Sequence, residues 1–447
     1  MPLLRADLLV GLRAAYRVGT CRWSDVARRR CRRHGSAAAS SAGSSSGRRR
    51  PLAGDAAGQR SRPNTGWDKP TWAVLSFPWV YWNAVRKLFG FEDLSTDDDP
   101  ISDAIKKSWV YRRHGEFERA LDCLRSAVPE AEKRAASDAK RGPFVVTRVL
   151  DEMANAYLEQ GNADEALASF LAVFTRLKQV HDTAENAPQM VGVLLKLAQV
   201  YERLGRLEDA ELTLRYILQV QSEVVDQHHS KYKSKGGQVS RSGLLPGGDY
   251  GLAYMEPLAL CGMINETYAH FLLKHPQLGA GQGSAADADG QALPADRVHE
   301  SKAYFDRALL LASDIYGILG ESTINMMNNY VTKCIDTSNF ALGLTYQREV
   351  VRRAVKVETL SDRLPGFFCN LAECLLHCGY PDEAVDYARR AVALANDTDD
   401  RRLQEHARRF LANVEADYGL GKQRERQRVE RERERERERE RLAVDSA

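Results

Sequence analysis

After residue 100 one interval recurs and constrains what the chain can become: a glycine followed, five residues on, by alanine. It occurs as Gly115 and Ala120, Gly161 and Ala166, Gly205 and Ala210, and Gly379 and Ala384. Each glycine sits between two apolar stretches of helical period. Before it come a small residue and a large one: Ser108 and Tyr111, Ala154 and Tyr157, Ala198 and Tyr201, Ala372 and Leu375. After it come larger apolar residues, such as Leu124, Phe170 and Leu214. A lone amphipathic helix shows a 3.6-residue period but no fixed glycine-to-alanine distance. A hairpin of two helices explains both features. Glycine supplies the left-handed residue that ends the first helix, and small side chains let the two axes cross closely. Acidic pairs open the second helix, as in Asp164-Glu165 and Asp382-Glu383, where the helix dipole favours negative charge.

Two further units are weaker. One runs through Met327, Val331, Cys334, Ser338, Phe340 and Gly343. The other pairs the helix around Leu258–Leu273 with Ser301, Phe305 and Ala308. Six such hairpins predict an all-α fold, an α-α superhelix of tetratricopeptide type with about six hairpins and disordered N- and C-terminal tails. Anchor spacings of 46 (Gly115 to Gly161), 44 (Gly161 to Gly205) and 41 (Ser338 to Gly379) make these long repeats. The expected organisation is repeats one to three over 100–226, an inserted loop at 227–250, and repeats four to six over 251–398 with a second insertion at 275–297. A capping helix at 399–420 and an Arg/Glu tail at 421–447 complete the chain. In the tail, strict alternation sets opposite charges at i, i+3 but like charges at i, i+4, which reads as a mediocre helix or a disordered polyampholyte.

Charge separates the N-terminus from the rest. Residues 1–70 carry fourteen Arg and one Lys against four Asp and no Glu, a net +11. That leaves −8 for the remainder of a chain whose formal net charge is +3. A mildly acidic folded part argues against nucleic-acid binding, which needs clustered cations. Leu4, Leu8 and Leu12 form a stripe flanked by Arg5, Arg13 and Arg17. Five arginines between Arg28 and Arg33 follow, then a Ser/Ala/Gly run. Arg-rich, Ser-rich and acid-poor is the composition of a mitochondrial transit peptide; a disordered basic tail is the alternative reading. Residues 71–91 hold Trp72, Trp79, Tyr81, Trp82 and Phe89. The uncharged run from Pro70 to Val85 has sixteen residues, about 24 Å as a helix, against a bilayer core of about 30 Å. A marginal membrane span and an aromatic helix lying in the interface or packed on the domain both remain open. If the segment spans, the basic flank before it and Asp93, Asp97, Asp98 and Asp99 after it orient the repeats toward the intermembrane space.

No phosphate loop, dinucleotide fingerprint, zincin motif or nucleophile elbow is present. The six cysteines beyond residue 100 read as small core residues. We therefore expect no catalytic residue, no cofactor, no metal and no small-molecule substrate. A solenoid offers instead an inner face of first-helix side chains. The candidate partner-binding residues there are Trp109, Arg112, Arg148, Asp151, Asn155, Gln199 and Glu202. Their mixed charge suits a polar or extended peptide.

The segments ISDAIKKSWVYRRHGEFERALDCLRSAV, LDEMANAYLEQGNADEALASF, LLKLAQVYERLGRLEDAE and SKAYFDRALLLASDIYG resemble the mitochondrial tetratricopeptide repeat protein 19 family. The order of elements is also similar: basic leader, one apolar segment, then extended repeats with an insertion after the third. The resemblance covers roughly 95–415. It implies a non-enzymatic factor of the mitochondrial inner membrane, attached through 71–91. Its implied partners are respiratory complex III and the Rieske iron–sulfur subunit, whose N-terminal fragments the family helps to clear. The insertion at 275–297, the Arg/Glu tail and Pro78 depart from that pattern. A soluble adaptor resembling kinesin light chain, whose repeats are also long, is the alternative.

Overall fold

A computed structural model describes residues 99–137, 142–233, 252–278 and 295–445. The leader at 1–70, the apolar segment at 71–91 and most of both insertions lie outside the described residues. All the described residues belong to one compact unit.

The described elements are helical throughout. They form six antiparallel hairpins: α1 (Pro100–Arg113) with α2 (Phe117–Ser137), α3 (Gly142–Gln160) with α4 (Ala163–Gln179), α5 (Pro188–Arg203) with α6 (Leu207–Lys233), α7 (Leu252–Lys274) with α8 (Ala295–Tyr316), α9 (Glu321–Asp336) with α10 (Phe340–Ala354), and α11 (Leu364–His377) with α12 (Pro381–Asn396). A 3-10 turn at Glu358–Arg363 precedes α11, and α13 (Arg401–Asp445) follows α12. Each hairpin packs on the next, which gives the expected α-solenoid. Asp99 opens it: its side chain accepts from the backbone N–H of Ile101 and is held by Arg134 of α2 at 2.7 Å.

Five hairpins turn in the same way. Gly115, Gly161, Gly205 and Gly379 have φ between 70° and 90°, and Ser338 stands in for glycine at 61°. The residue after each donates its backbone N–H five residues back, as from Glu116 to Tyr111 (2.9 Å), Arg206 to Tyr201 (2.8 Å) and Asn339 to Cys334 (2.7 Å). The left-handed residue itself bonds three back, as Gly205 does to Glu202. This paired closure satisfies carbonyls that the helix end leaves open. Left-handed backbone strains a residue with a side chain by about 1–2 kcal/mol. Ser338→Gly should therefore raise stability by about 0.5–1 kcal/mol after the greater freedom of unfolded glycine is subtracted; a urea midpoint no higher than wild type would contradict this.

The small residue five places past each turn is fully buried at Ala120, Ala166, Ala210 and Ala384. In the fifth hairpin that place is Gly343. A Cβ there would stand 3.2 Å from both Cys334 Cβ and Cys374 Sγ, so α10 seats against α9 and α11 only without one.

Two expectations change. Helix α6 extends to Lys233, into the expected loop at 227–250. The Arg/Glu tail, counted among the disordered tails and read on its charges as a mediocre helix or a disordered polyampholyte, is helical: α13 continues without interruption from the capping segment to Asp445. Val414, Phe410, Leu411 and Tyr418 pack the start of α13 on α11 and α12. That packing supplies the costly helical nucleus, and beyond it arginine and glutamate are good helix formers that each add one backbone bond.

Candidate protein-binding face

The first helices of the hairpins, α1, α3, α5, α7, α9 and α11, line one side of the solenoid, and polar bridges tie α1 to α3, α3 to α5, α5 to α7 and α9 to α11. Two registers recur. Near the C-terminal ends of the first helices, Arg112 of α1 reaches Glu159 of α3 at 2.5 Å and Glu152 at 2.7 Å. Arg203 of α5 donates to the Leu158 carbonyl of α3. Glu202, in the place Arg112 occupies two turn glycines earlier, accepts from Lys274 (2.6 Å) at the end of α7 and pairs with His275 (2.9 Å) just beyond it. About two turns earlier a second rung joins Asp151 of α3 to Lys196 of α5 at 2.8 Å, and Asn328 of α9 to Asn370 of α11 at 2.9 Å.

These bridges set the local electrostatics. Burial works against the Arg112 charge, but the hydrogen bonds it donates to Glu159 and the charges of Glu152 and Glu159 outweigh it and raise its pKa. Burial likewise opposes the Glu202 carboxylate, yet its bonds with Lys274 and His275 bring its pKa below the ordinary value. Arg148 has no such outcome: burial dominates and lowers its pKa despite the nearby carboxylates of Glu152, Asp151 and Asp99. Arg112→Leu removes three charged hydrogen bonds, two to Glu159 and one to Glu152, from a partly solvated site and should cost about 1–2 kcal/mol. Unchanged urea unfolding would count against the bracing role.

The seven sequence-derived candidates occupy distinct positions. Arg112, Asp151 and Glu202 are inter-hairpin braces. Arg148 and Asp151 are buried. Asn155 donates to Asp151 within α3 at 3.1 Å. Trp109 is exposed beneath the Arg113 guanidinium, 3.9 Å from its ring centroid, and Gln199 is exposed. Trp109, Asn155 and Gln199 hold one equivalent place relative to their turn glycines, and none bridges to the next hairpin in the contacts described. His270, Thr332 and Glu373 continue that row on α7, α9 and α11. Sequence reasoning missed the bracing partners Glu152, Glu159, Lys196, Lys274 and His275. The available signal was an opposite charge at nearly the same register one hairpin later.

Among the described residues no three His, Cys, Asp or Glu side chains gather as metal ligands, and no helix is long and apolar enough to cross a membrane. His377 stacks on Phe340 at 3.9 Å and meets Glu373 at 3.4 Å.

A repetitive, braced stack of helical hairpins defines a class: the tetratricopeptide-type solenoid, a protein-interaction scaffold. Two tetratricopeptide repeat family profiles match the chain, at residues 148–170 and 370–402. No curated protein matches it. Among solved structures it is similar to BtubC (BKLC) from P. vanneervenii, at 14 % identity over 63 % of this chain and 91 % of that one, with a TM-score of 0.44. It is similar to a Podosopora anserina protein described as a kinesin light chain with nearly identical TPR-like repeats, at 12 % identity over 58 % and 99 %, TM-score 0.37. It is also similar to a tetratricopeptide repeat protein from Parabacteroides merdae, at 13 % identity over 70 % and 98 %, TM-score 0.25.

Proposed function

We propose that this chain is a non-enzymatic protein-holding factor of the mitochondrial inner membrane that supports respiratory complex III. In this reading its first-helix face holds polypeptide segments of the Rieske subunit during their clearance, and residues 71–91 attach it to the membrane. The observation that carries the holding role is the row of Trp109, Asn155 and Gln199. It follows the inner face at one repeating register, between braces that fix the spacing of the helices. A braced face presents polar groups at fixed intervals and binds an extended chain without reorganising. The mitochondrial part is supported by the Arg-rich leader and by the resemblance of 95–415 to the complex III maintenance family.

The test is affinity capture of the full chain from detergent-solubilised mitochondria, alongside an Asn155→Arg, Gln199→Arg variant whose two added charges obstruct the row. Complex III subunits, the Rieske protein among them, are expected with the wild type and depleted with the variant. Import and cleavage of a reporter fused to residues 1–70 is the companion result. A reporter left outside mitochondria, with cytosolic cargo recovered instead, would establish the adaptor reading and reject this one.

A further inference from the structure

Polar side chains on the first helices change in kind along the stack. In hairpins two and three, one place relative to the turn glycine holds Glu152 and Lys196, charges that brace one hairpin to another. In hairpins five and six the same place, counted from Ser338 and Gly379, holds Asn329 and Asn370. Asn325 and Asn328 share a face of α9 with Asn329, by their spacing of three and four residues. All four asparagines are half-buried, and none carries charge.

Hydrogen bonds fix which way two of these amides point. An amide side chain has two N–H donors on one side and a carbonyl acceptor on the other, and its partners decide its orientation. The chain of decisions starts at the Phe367 carbonyl of α11, which can only accept. Gln347 of α10 is fully buried and donates to it from Nε2 at 2.7 Å. The same nitrogen donates to Asn328 Oδ1 at 3.3 Å, and Asn370 Nδ2 donates to that oxygen at 2.9 Å. Turning Gln347 over would set its oxygen against two others. Its Oε1 is instead left buried with no hydrogen-bond partner among the described residues, a state that native interiors seldom tolerate without a use. Two groups are then left over. Asn328 Nδ2 and Asn370 Oδ1 have no hydrogen-bond partner among the described residues, and neither is sealed in as Gln347 Oε1 is. One donates and the other accepts, on side chains already joined to each other. That pair complements one residue of an extended chain, whose N–H and C=O point to the same side. Asn325 and Asn329 make no polar contact among the described residues. Gly366 holds the Asn325 place one hairpin later, and open space lies where its Cβ would stand.

We infer that hairpins five and six form a second polypeptide-binding site, which takes an uncharged extended segment by its main chain. Asn370 Oδ1 accepts from the N–H of one residue, and Asn328 Nδ2 donates to the C=O of the same residue. Asn325 and Asn329 meet the neighbouring peptide groups. Gln347 is a positioning residue: it touches no ligand and holds the Asn328 amide in the donating sense. Such a site reads backbone instead of side-chain identity, and it excludes proline at the gripped residue, since proline has no N–H. The inference rests on the first-helix face holding polypeptide, but not on which partner it holds or on the membrane.

The test uses the purified full chain and short synthetic peptides of random sequence, uncharged and free of proline. A peptide that binds the wild type is remade with one backbone amide at a time replaced by an ester, which removes the N–H and keeps every side chain. One ester position should weaken binding about 5–10-fold, the worth of one hydrogen bond. Asn370→Ala should weaken the parent peptide by a similar factor and abolish that ester penalty; Asn328→Ala should weaken it and keep the penalty. Esters that bind like the parent at every position, or a penalty that persists in Asn370→Ala, would overturn the inference. If either variant loses helicity, the ester series on the Asn155→Arg, Gln199→Arg chain decides: a penalty at one position supports the site, and none overturns it. A peptide lost by Asn155→Arg, Gln199→Arg but held at full affinity by Asn370→Ala belongs to hairpins one to three, and this inference alone fails. A wild type that binds no peptide overturns it together with the holding role.

Discussion

Phe305→Ala is expected to cost about 3–5 kcal/mol and to split a single unfolding transition into two. Phe305 lies on α8, the outer helix of the fourth hairpin, and is fully buried. Its ring stacks on Tyr330 of α9 with centroids 3.7 Å apart and planes 3° from parallel. Tyr346 of α10 stands edge-on to both, at 5.1 Å and 5.3 Å. Polar contacts tie the same three helices: Ser301 Oγ donates to the Ala269 carbonyl and lies 2.9 Å from the Tyr330 hydroxyl, which also meets it, while the Tyr346 hydroxyl donates to Asp306 at 2.5 Å. This aromatic triangle joins hairpins four and five. In a stacked array each hairpin is stabilised by its neighbours, so cooperativity passes through every interface in turn. Hollowing one interface should uncouple the pieces on either side. Urea unfolding followed by circular dichroism should show two steps, and hydrogen exchange should place the earlier loss on one side of the α8–α9 boundary. A single transition at the wild-type midpoint would mean that the triangle fills space without coupling the halves.

The parts of this fold that could be read from the sequence are those fixed by backbone and volume. Gly115, Gly161, Gly205 and Gly379 were legible because a positive φ leaves few alternatives to glycine. Ala120, Ala166, Ala210 and Ala384 were legible because closely crossed axes leave no room. Ser338 and Gly343 break both rules in letter, yet they occupy the same places, and only the interval betrays them. The helical tail was harder, since like charges at i, i+4 argued against a helix. What that reasoning omitted was the nucleus supplied by Phe410, Leu411 and Val414 against the last hairpin. The inner face was legible in position and not in role. Arg112, Asp151 and Glu202 could be assigned to first helices, but their partners Glu159, Lys196 and Lys274 lie one hairpin away, and the match appears only when hairpins are superimposed by their turns.

Acid should weaken the same junction through His270, at about 1.4 kcal/mol per pH unit between about pH 6.5 and the value to which the ring is driven. His270 belongs to α7 and lies nearly parallel to Tyr330, with centroids 5.9 Å apart. Its Nε2 is buried with no hydrogen-bond partner among the described residues. Burial first, and the charge of Lys333 second, push its pKa from the ordinary 6.5 down to about 3. Between those values the unfolded chain binds a proton that the folded chain refuses, so stability rises with pH across the window and is level above it. Falling from pH 7 to pH 5 should remove about 2 kcal/mol through this one ring. The comparison with His270→Phe isolates it, since that variant keeps an aromatic ring beside Tyr330 and cannot titrate. Whatever other groups contribute is common to both chains and cancels in the difference. Urea midpoints measured at pH 7 and pH 5 should therefore separate, with the wild type losing more on acidification than the variant. Parallel loss in the two chains would show that the His270 ring takes up its proton in the folded state as readily as in the unfolded one. The buried α7 face would then have to admit water.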